Sequence, residues 1–135
     1  MNEEFINQDQ AESIQYKNNS EFGITENTEL TYDLIDQMKE KYKKIYRTTL
    51  IDGTEIIWRR LNRKEYKYIM KAFEEIENRG ERLMEREEAV CKIATLYPCA
   101  SIMNEILSSM AGVAPVLSDD IYEKSGFRLS APEEL

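Results

Sequence analysis

The sequence predicts a mostly helical α+β domain, with one β-hairpin over about 45–60 packed on three to four short helices and a flexible acidic arm at the N-terminus. Three observations predict it. Asp52-Gly53 lies between two β-rich runs, Asn62 and Glu65 have the spacing of a helix start directly after the second run, and residues 1–30 show no sustained periodicity.

Asp-Gly is favoured by a two-residue type I′ turn, whose central residues both need positive φ. That turn pairs Ile51 with Thr54, Leu50 with Glu55, Thr49 with Ile56, Thr48 with Ile57 and Arg47 with Trp58. One face then carries Ile45, Ile51, Ile56 and Trp58 and is expected to be the core face; the other carries Tyr46, Leu50 and Ile57. Arg47 opposite Trp58 is expected to make a cation–π pair. A lone hairpin is marginal in water, so it must lean on the helix that follows.

That helix begins with a capping box, in which Asn62 accepts from an early backbone N–H and Glu65 reaches back. Tyr66, Ile69, Phe73 and Ile76 form its apolar stripe, and Asn78 to Gly80 is the expected break. Upstream, Thr31 caps a helix carrying Leu34, Ile35, Met38 and Tyr42. Downstream, a helix from about Glu81 to Leu96 has Leu83, Val90, Ala94 and Tyr97 on its inner side, ends at Pro98, and gains i,i+4 support from Glu75/Arg79 and Glu88/Lys92. A third covers roughly Ala100 to Met110, with Gly112 as its C-cap. Pro115 opens a short helix, and Ser125-Gly126-Phe127 closes the fold. The expected organisation is arm 1–30, one domain 31–128 and a polar tail 129–135.

Net charge is −8 but is divided along the chain: residues 1–30 carry −6, residues 39–71 carry +7 and residues 72–135 carry −7. The middle is a basic island in an acidic protein, and the acidic arm can fold back over it as a counter-ion. The N-terminus is acidic and polar, and no apolar run approaches the roughly 20 residues of a membrane span. Cys91 and Cys99 are expected to be free thiols in a reducing compartment, Cys91 buried on a helix stripe.

The chain has no histidine. Ser-His and Cys-His nucleophilic schemes are therefore excluded, and a four-ligand zinc site lacks donors. No glycine-rich phosphate loop or catalytic signature appears, and the carboxylates between Glu74 and Glu88 read as solvated helix surface. No residue is assigned to catalysis, a cofactor or a metal, and the expectation is a protein that is not an enzyme. Binding residues come from two places. Trp58, Arg59, Arg60, Arg63, Lys64 and Lys67 belong to the basic island, and Met103, Leu107 and Met110 to the methionine-bearing helix, whose adaptable side chains suit a surface for partner helices. Nucleic-acid binding through the basic island is disfavoured by the flanking acidic blocks.

The run Trp58-Arg59-Arg60-Leu61-Asn62-Arg63-Lys64-Glu65-Tyr66, the Glu87 to Cys91 element, the Tyr97-Pro98 stop, Ala111-Gly112 and Ser125-Gly126-Phe127 together resemble the tail assembly chaperones of contractile-tailed bacteriophages. The resemblance spans Ile45 to Phe127 and departs at Arg60, where family members tend to have proline. It implies a non-enzymatic factor of the host cytoplasm that keeps the helical tape-measure protein soluble during tail assembly, with other tail proteins and self-association as further contacts. Two alternatives stay open: a small structural component retained in the virion, at the baseplate, neck or tail, and, more distantly, a nucleic-acid-binding regulator.

Overall fold

The computed structural model describes residues 8–135. In chain order the elements are α1 (Gln8–Phe22), α2 (Tyr32–Tyr42), β1 (Ile45–Thr49), β2 (Glu55–Arg59), α3 (Arg63–Lys71), α4 (Arg79–Ala94), β3 (Thr95–Tyr97), α5 (Ala100–Ser109), α6 (Val113–Tyr122) and a closing turn over Glu123–Phe127. The chain is α+β and mostly helical, with an antiparallel sheet in the order β1-β2-β3. The third strand was not expected; Thr95–Tyr97 pairs with β2 where sequence reading extended the preceding helix to Leu96.

The acidic arm is the largest difference. Its first seven residues lie outside those described, but from Gln8 the segment is a helix packed against α4 and β3, not a flexible extension. Ala11, Gln15, Asn18 and Asn19, at most 5% exposed, recur at helical spacing and make its inner stripe. The helix stops in a Schellman motif, with Gly23 at φ +65°, its N–H bonding Ser20 C=O and Ile24 N–H bonding Asn19 C=O. Ile24, the residue after that glycine, is buried.

The hairpin forms one residue out of the expected register. Thr49 faces Glu55, Thr48 faces Ile56, Arg47 faces Ile57, and Tyr46 faces Trp58. The loop is Ile51-Asp52-Gly53: Gly53 N–H bonds Leu50 C=O at 2.9 Å, Leu50 N–H bonds Thr54 C=O at 2.8 Å, and Gly53 has φ +89°. This is the three-residue type I turn with a glycine bulge, in which only one residue needs positive φ, so Asp52 is relieved of that conformation. Asp52 instead accepts from Thr54 N–H at 2.9 Å, which holds its carboxyl below the usual range.

The slip exchanges the faces of β1 relative to β2, whose Ile56 and Trp58 face the main core as expected. Trp58 stacks on Tyr46 at 4.7 Å and donates to Thr48 Oγ1 at 2.9 Å, while Arg47 pairs with Glu55 at 3.6 Å and not with the indole. Ile56 and Trp58 join Ile69, Ile93, Met103 and Ile121 in the larger core cluster; Ile57 and Ile45 join Leu34, Met38 and Leu96 in the smaller one. β2 is thus buried on both faces, and Ile51, assigned to the core face, is 99% exposed at the loop.

Caps appear at Thr31 and at Asn62, where both halves of the box form, at 2.8 Å and 3.0 Å. The break after α3 falls earlier than expected, because the helix ends at Lys71 and Phe73 has φ +66°. Asn78 then caps α4, which leaves Gly80 inside its first turn. Lys92 turns inward to Glu12 of α1 at 3.3 Å in place of the surface pair with Glu88. Gly112, at φ −81°, opens α6 rather than closing α5. Ser125 closes the fold, accepting from Leu61 N–H and donating to Ile121 C=O.

Candidate functional site

The basic island divides into a buried anchor and an exposed helix face. Arg59, at the end of β2, is 7% exposed, and its two terminal nitrogens donate to the two Glu65 oxygens at 2.9 Å each. Glu65 is held for this by the capping box, since its Oε1 also accepts from Asn62 N–H. Burial opposes the Arg59 charge, but the hydrogen bonds and charge of Glu65 outweigh it and hold the guanidinium above its ordinary pKa. The Tyr42 ring lies 5.2 Å from the same group. Arg59 is therefore committed inside the fold to its pairing with Glu65.

Arg60, Arg63, Lys64 and Lys67 are exposed, as is Lys71, and among the described residues none of the five has an ion-pair partner. Arg63 sits 5.5 Å over Tyr66 and Lys64 5.6 Å over Tyr68. No acidic side chain among the described residues of the arm pairs with them. Its helix lays Glu12 on Lys92 and Glu21 on Lys41, and amide hydrogen bonds from Asn18 and Asn19 also dock it to the core.

Three further candidates are also interior. Trp58 is 3% exposed, Met103 0% and Leu107 7%, because β2 is the central strand and the stripe of α5 turns into the main core. Met110 alone of the methionine-helix candidates reaches a surface groove. That groove, about 460 Å³, runs between the hairpin tip and the α5–α6 corner, lined by Leu50, Ile51, Met110, Val113 and Val116. Ile51 at 99% and Val116 at 64% exposure leave it open, and β1 beside it is an edge strand. A second apolar groove of about 440 Å³ lies between α3, α4 and the closing turn. Leu83, expected on the inner side of α4, is 59% exposed along it.

A polar cleft of about 550 Å³ borders the Arg59–Glu65 pair, with Lys17, Glu21, Lys41 and Arg60 around it; its carboxylates are occupied by Arg59 and Lys41. Both cysteines are free and buried. Burial, with Glu87 and Glu88 nearby, pushes the Cys91 thiol far up, so it stays protonated and packs as a small apolar side chain. Among the described residues no group of three or more Cys, Asp or Glu side chains is placed to hold a metal ion, and no single helix is long and apolar enough to cross a membrane.

No protein-family model, no curated protein and no solved structure matches this chain. The surface residues that sequence reading missed are Ile51, Leu83, Val116 and Phe127. The signal for Ile51 was the three-residue alternative for the Asp-Gly loop, which turns its side chain out.

Proposed function

We propose that this protein is a non-enzymatic tail assembly chaperone of a contractile-tailed phage, acting in the host cytoplasm to cover apolar stripes of the tape-measure protein until the tail tube encloses it. The observation that carries the reading is the open apolar groove at the hairpin tip, with Ile51 fully exposed on a loop that could as readily have held a polar residue. A long amphipathic helix presents apolar stripes that aggregate unless covered reversibly, and a shallow groove of a few side chains gives weak, releasable contact. Cations on α3 add attraction to acidic stretches of such a helix, acting on encounter rate more than on affinity. The family resemblance supplies the partner's identity, and the groove supplies the means.

Co-expression with the tape-measure protein of the same phage tests it. The wild-type chain is expected to raise the soluble fraction of that partner several-fold. Ile51→Asp with Val116→Asp is expected to abolish the gain while leaving the melting temperature nearly unchanged, since exposed substitutions usually stay within about 0.5 kcal/mol. Unchanged partner solubility with the wild-type chain contradicts the proposal.

Arg60 and the four α3 cations Arg63, Lys64, Lys67 and Lys71, without ion-pair partners among the described residues, favour one competing reading, nucleic-acid binding. Binding to duplex DNA that weakens steeply with salt, and is lost on Lys64→Glu with Lys67→Glu, would favour that reading instead.

A further inference from the structure

The polar cleft beside the Arg59–Glu65 pair lies in the seam where α1 meets α2 and the β2–α3 junction. The charged side chains that line it are Lys17 and Glu21 from α1, Lys41 from α2, Arg59 and Arg60 at the end of β2 and just beyond it, and Glu65 from α3. Four cations against two carboxylates make the cleft locally positive in a chain whose net charge is −8.

Its carboxylates are already spent. Glu21 meets Lys41 with one oxygen and accepts from the Tyr42 hydroxyl with the other, at 3.3 Å. Glu65 takes the terminal nitrogens of Arg59 on its two oxygens and Asn62 N–H on Oε1. Donors are left over. Lys17 and Arg60 are exposed, and among the described residues neither has an ion-pair partner. Between the charges the walls are apolar, with Ile14, Leu61 and the Tyr42 ring, and low-dielectric walls focus the field of the cations into the cleft. Its volume of about 550 Å³ falls within the range of about 300–1,000 Å³ for small-molecule sites.

An occupant must therefore bring acceptors and close to two negative charges. A phosphate monoester carries about −1.5 to −2 at neutral pH on one compact centre with three acceptor oxygens, whereas a carboxylate or a phosphodiester carries a single charge. The planar fork of Arg60 matches two such oxygens, and the Lys17 ammonium acts on them as a point charge.

We infer that this cleft binds a phosphate dianion, free or as the monoester of a small molecule, held by Lys17 and Arg60. The two internal ion pairs keep the carboxylates of the cleft from competing for those cations. Because Lys17 belongs to α1 and Arg60 to the β2–α3 junction, the ligand ties the first helix to the sheet. The inference is independent of the chaperone reading, which rests on the groove at the hairpin tip.

Titration of the isotopically labelled full chain, followed by amide chemical shifts at a constant ionic strength of about 0.1 M, tests it. The probes are inorganic phosphate, phenyl phosphate, the diester dimethyl phosphate, and succinate. Inorganic phosphate and phenyl phosphate are both expected to shift the amides of Lys17, Arg60 and Asn62 saturably. Tighter binding of phenyl phosphate assigns the site to an ester, and tighter binding of inorganic phosphate assigns it to the free ion. Dimethyl phosphate is expected to bind about tenfold more weakly, having lost one charge. Lys17→Ser with Arg60→Ser, both at exposed positions, is expected to weaken phosphate by about tenfold or more, and each single variant to carry part of that loss. Lys67→Ser with Lys71→Ser removes the same charge from the surface of α3 and should leave phosphate binding unchanged. Saturating phosphate should also slow hydrogen exchange along α1 in the wild-type chain and not in the Lys17/Arg60 variant. Shifts that do not saturate, succinate or dimethyl phosphate binding as tightly as phosphate, or an equal loss in the Lys67/Lys71 variant overturns the inference. Ile51→Asp is expected to have no effect on phosphate, so the chaperone reading and this inference fail separately.

Discussion

Replacing Glu65 by alanine is expected to lower the unfolding free energy by about 3–5 kcal/mol, the range for removing one partner of a buried ion pair. The reason lies in how fully Arg59 depends on this carboxylate. Both terminal nitrogens of the guanidinium donate to Glu65, Arg60 C=O takes one further bond, and the buried Nε has no acceptor among the described residues. Alanine leaves a charge in the interior with only the Arg60 carbonyl and the Tyr42 side chain beside it. It also deletes the half of the capping box that satisfies Asn62 N–H, a further contribution on the order of 1 kcal/mol at an exposed helix start. Urea denaturation of the single variant and of Arg59→Met with Glu65→Leu separates the terms. Removing both charges together should recover most of the loss, because the dominant cost is the orphaned cation and not the missing attraction. A loss below about 1 kcal/mol for Glu65→Ala would mean that the pair behaves as a solvated surface bridge.

The second large effect is expected on α1. Asn19 Oδ1 accepts from Ala100 N–H at 2.7 Å, acting from 81 residues away as the side-chain cap that Cys99 does not provide for α5, and its amide donates to Leu96 C=O. Asn19→Ala orphans both backbone groups in the interior at about 1–3 kcal/mol each. Gln15, one turn earlier and fully buried, is the opposite case. Among the described residues neither its oxygen nor its nitrogen has a hydrogen-bond partner, so Gln15→Leu is expected to stabilise the protein by about 1–2 kcal/mol. Thermal melts of the two variants should therefore move in opposite directions. If neither moves, α1 is not part of the cooperative fold.

That helix also shows where sequence reading runs out. The search for helices uses apolar residues at helical spacing, and α1 has the spacing with the wrong chemistry: Ala11, Gln15, Asn18 and Asn19 occupy the positions where leucines would announce it. Its docking depends on amide bonds to the backbone of Ile93, Thr95 and Leu96, which no local pattern encodes. Local signals fared better, because Thr31 and the Asn62–Glu65 box set helix starts through contacts within four residues. The hairpin was legible as a hairpin but not in register, since Asp52-Gly53 serves both a two-residue and a three-residue loop, and the choice exchanges the faces of β1 while Ile56 and Trp58 of β2 stay in the main core as expected.

The same limits governed the binding residues. Composition identified the island, and Arg60, Arg63, Lys64 and Lys67 do lie on the surface, but Arg59 differs from its neighbour Arg60 only by which way the end of β2 points it. On α5, Met103 and Leu107 sit a turn apart on the core side, and only Met110, beyond the helix end, reaches a groove. Exposed apolar residues such as Ile51 and Leu83 were assigned inward because hydrophobicity alone argues for burial. Interaction surfaces are the exceptions to that rule.

Quantitative mass spectrometry of infected-cell lysate and of purified particles tests the central claim most directly. A chaperone that covers the tape measure only during assembly is expected in the lysate, co-purifying with tape-measure protein, and to be absent from finished particles. Stoichiometric presence in the purified particle, with no tape-measure protein bound in the lysate, would contradict the account and identify the chain as a structural component of the tail.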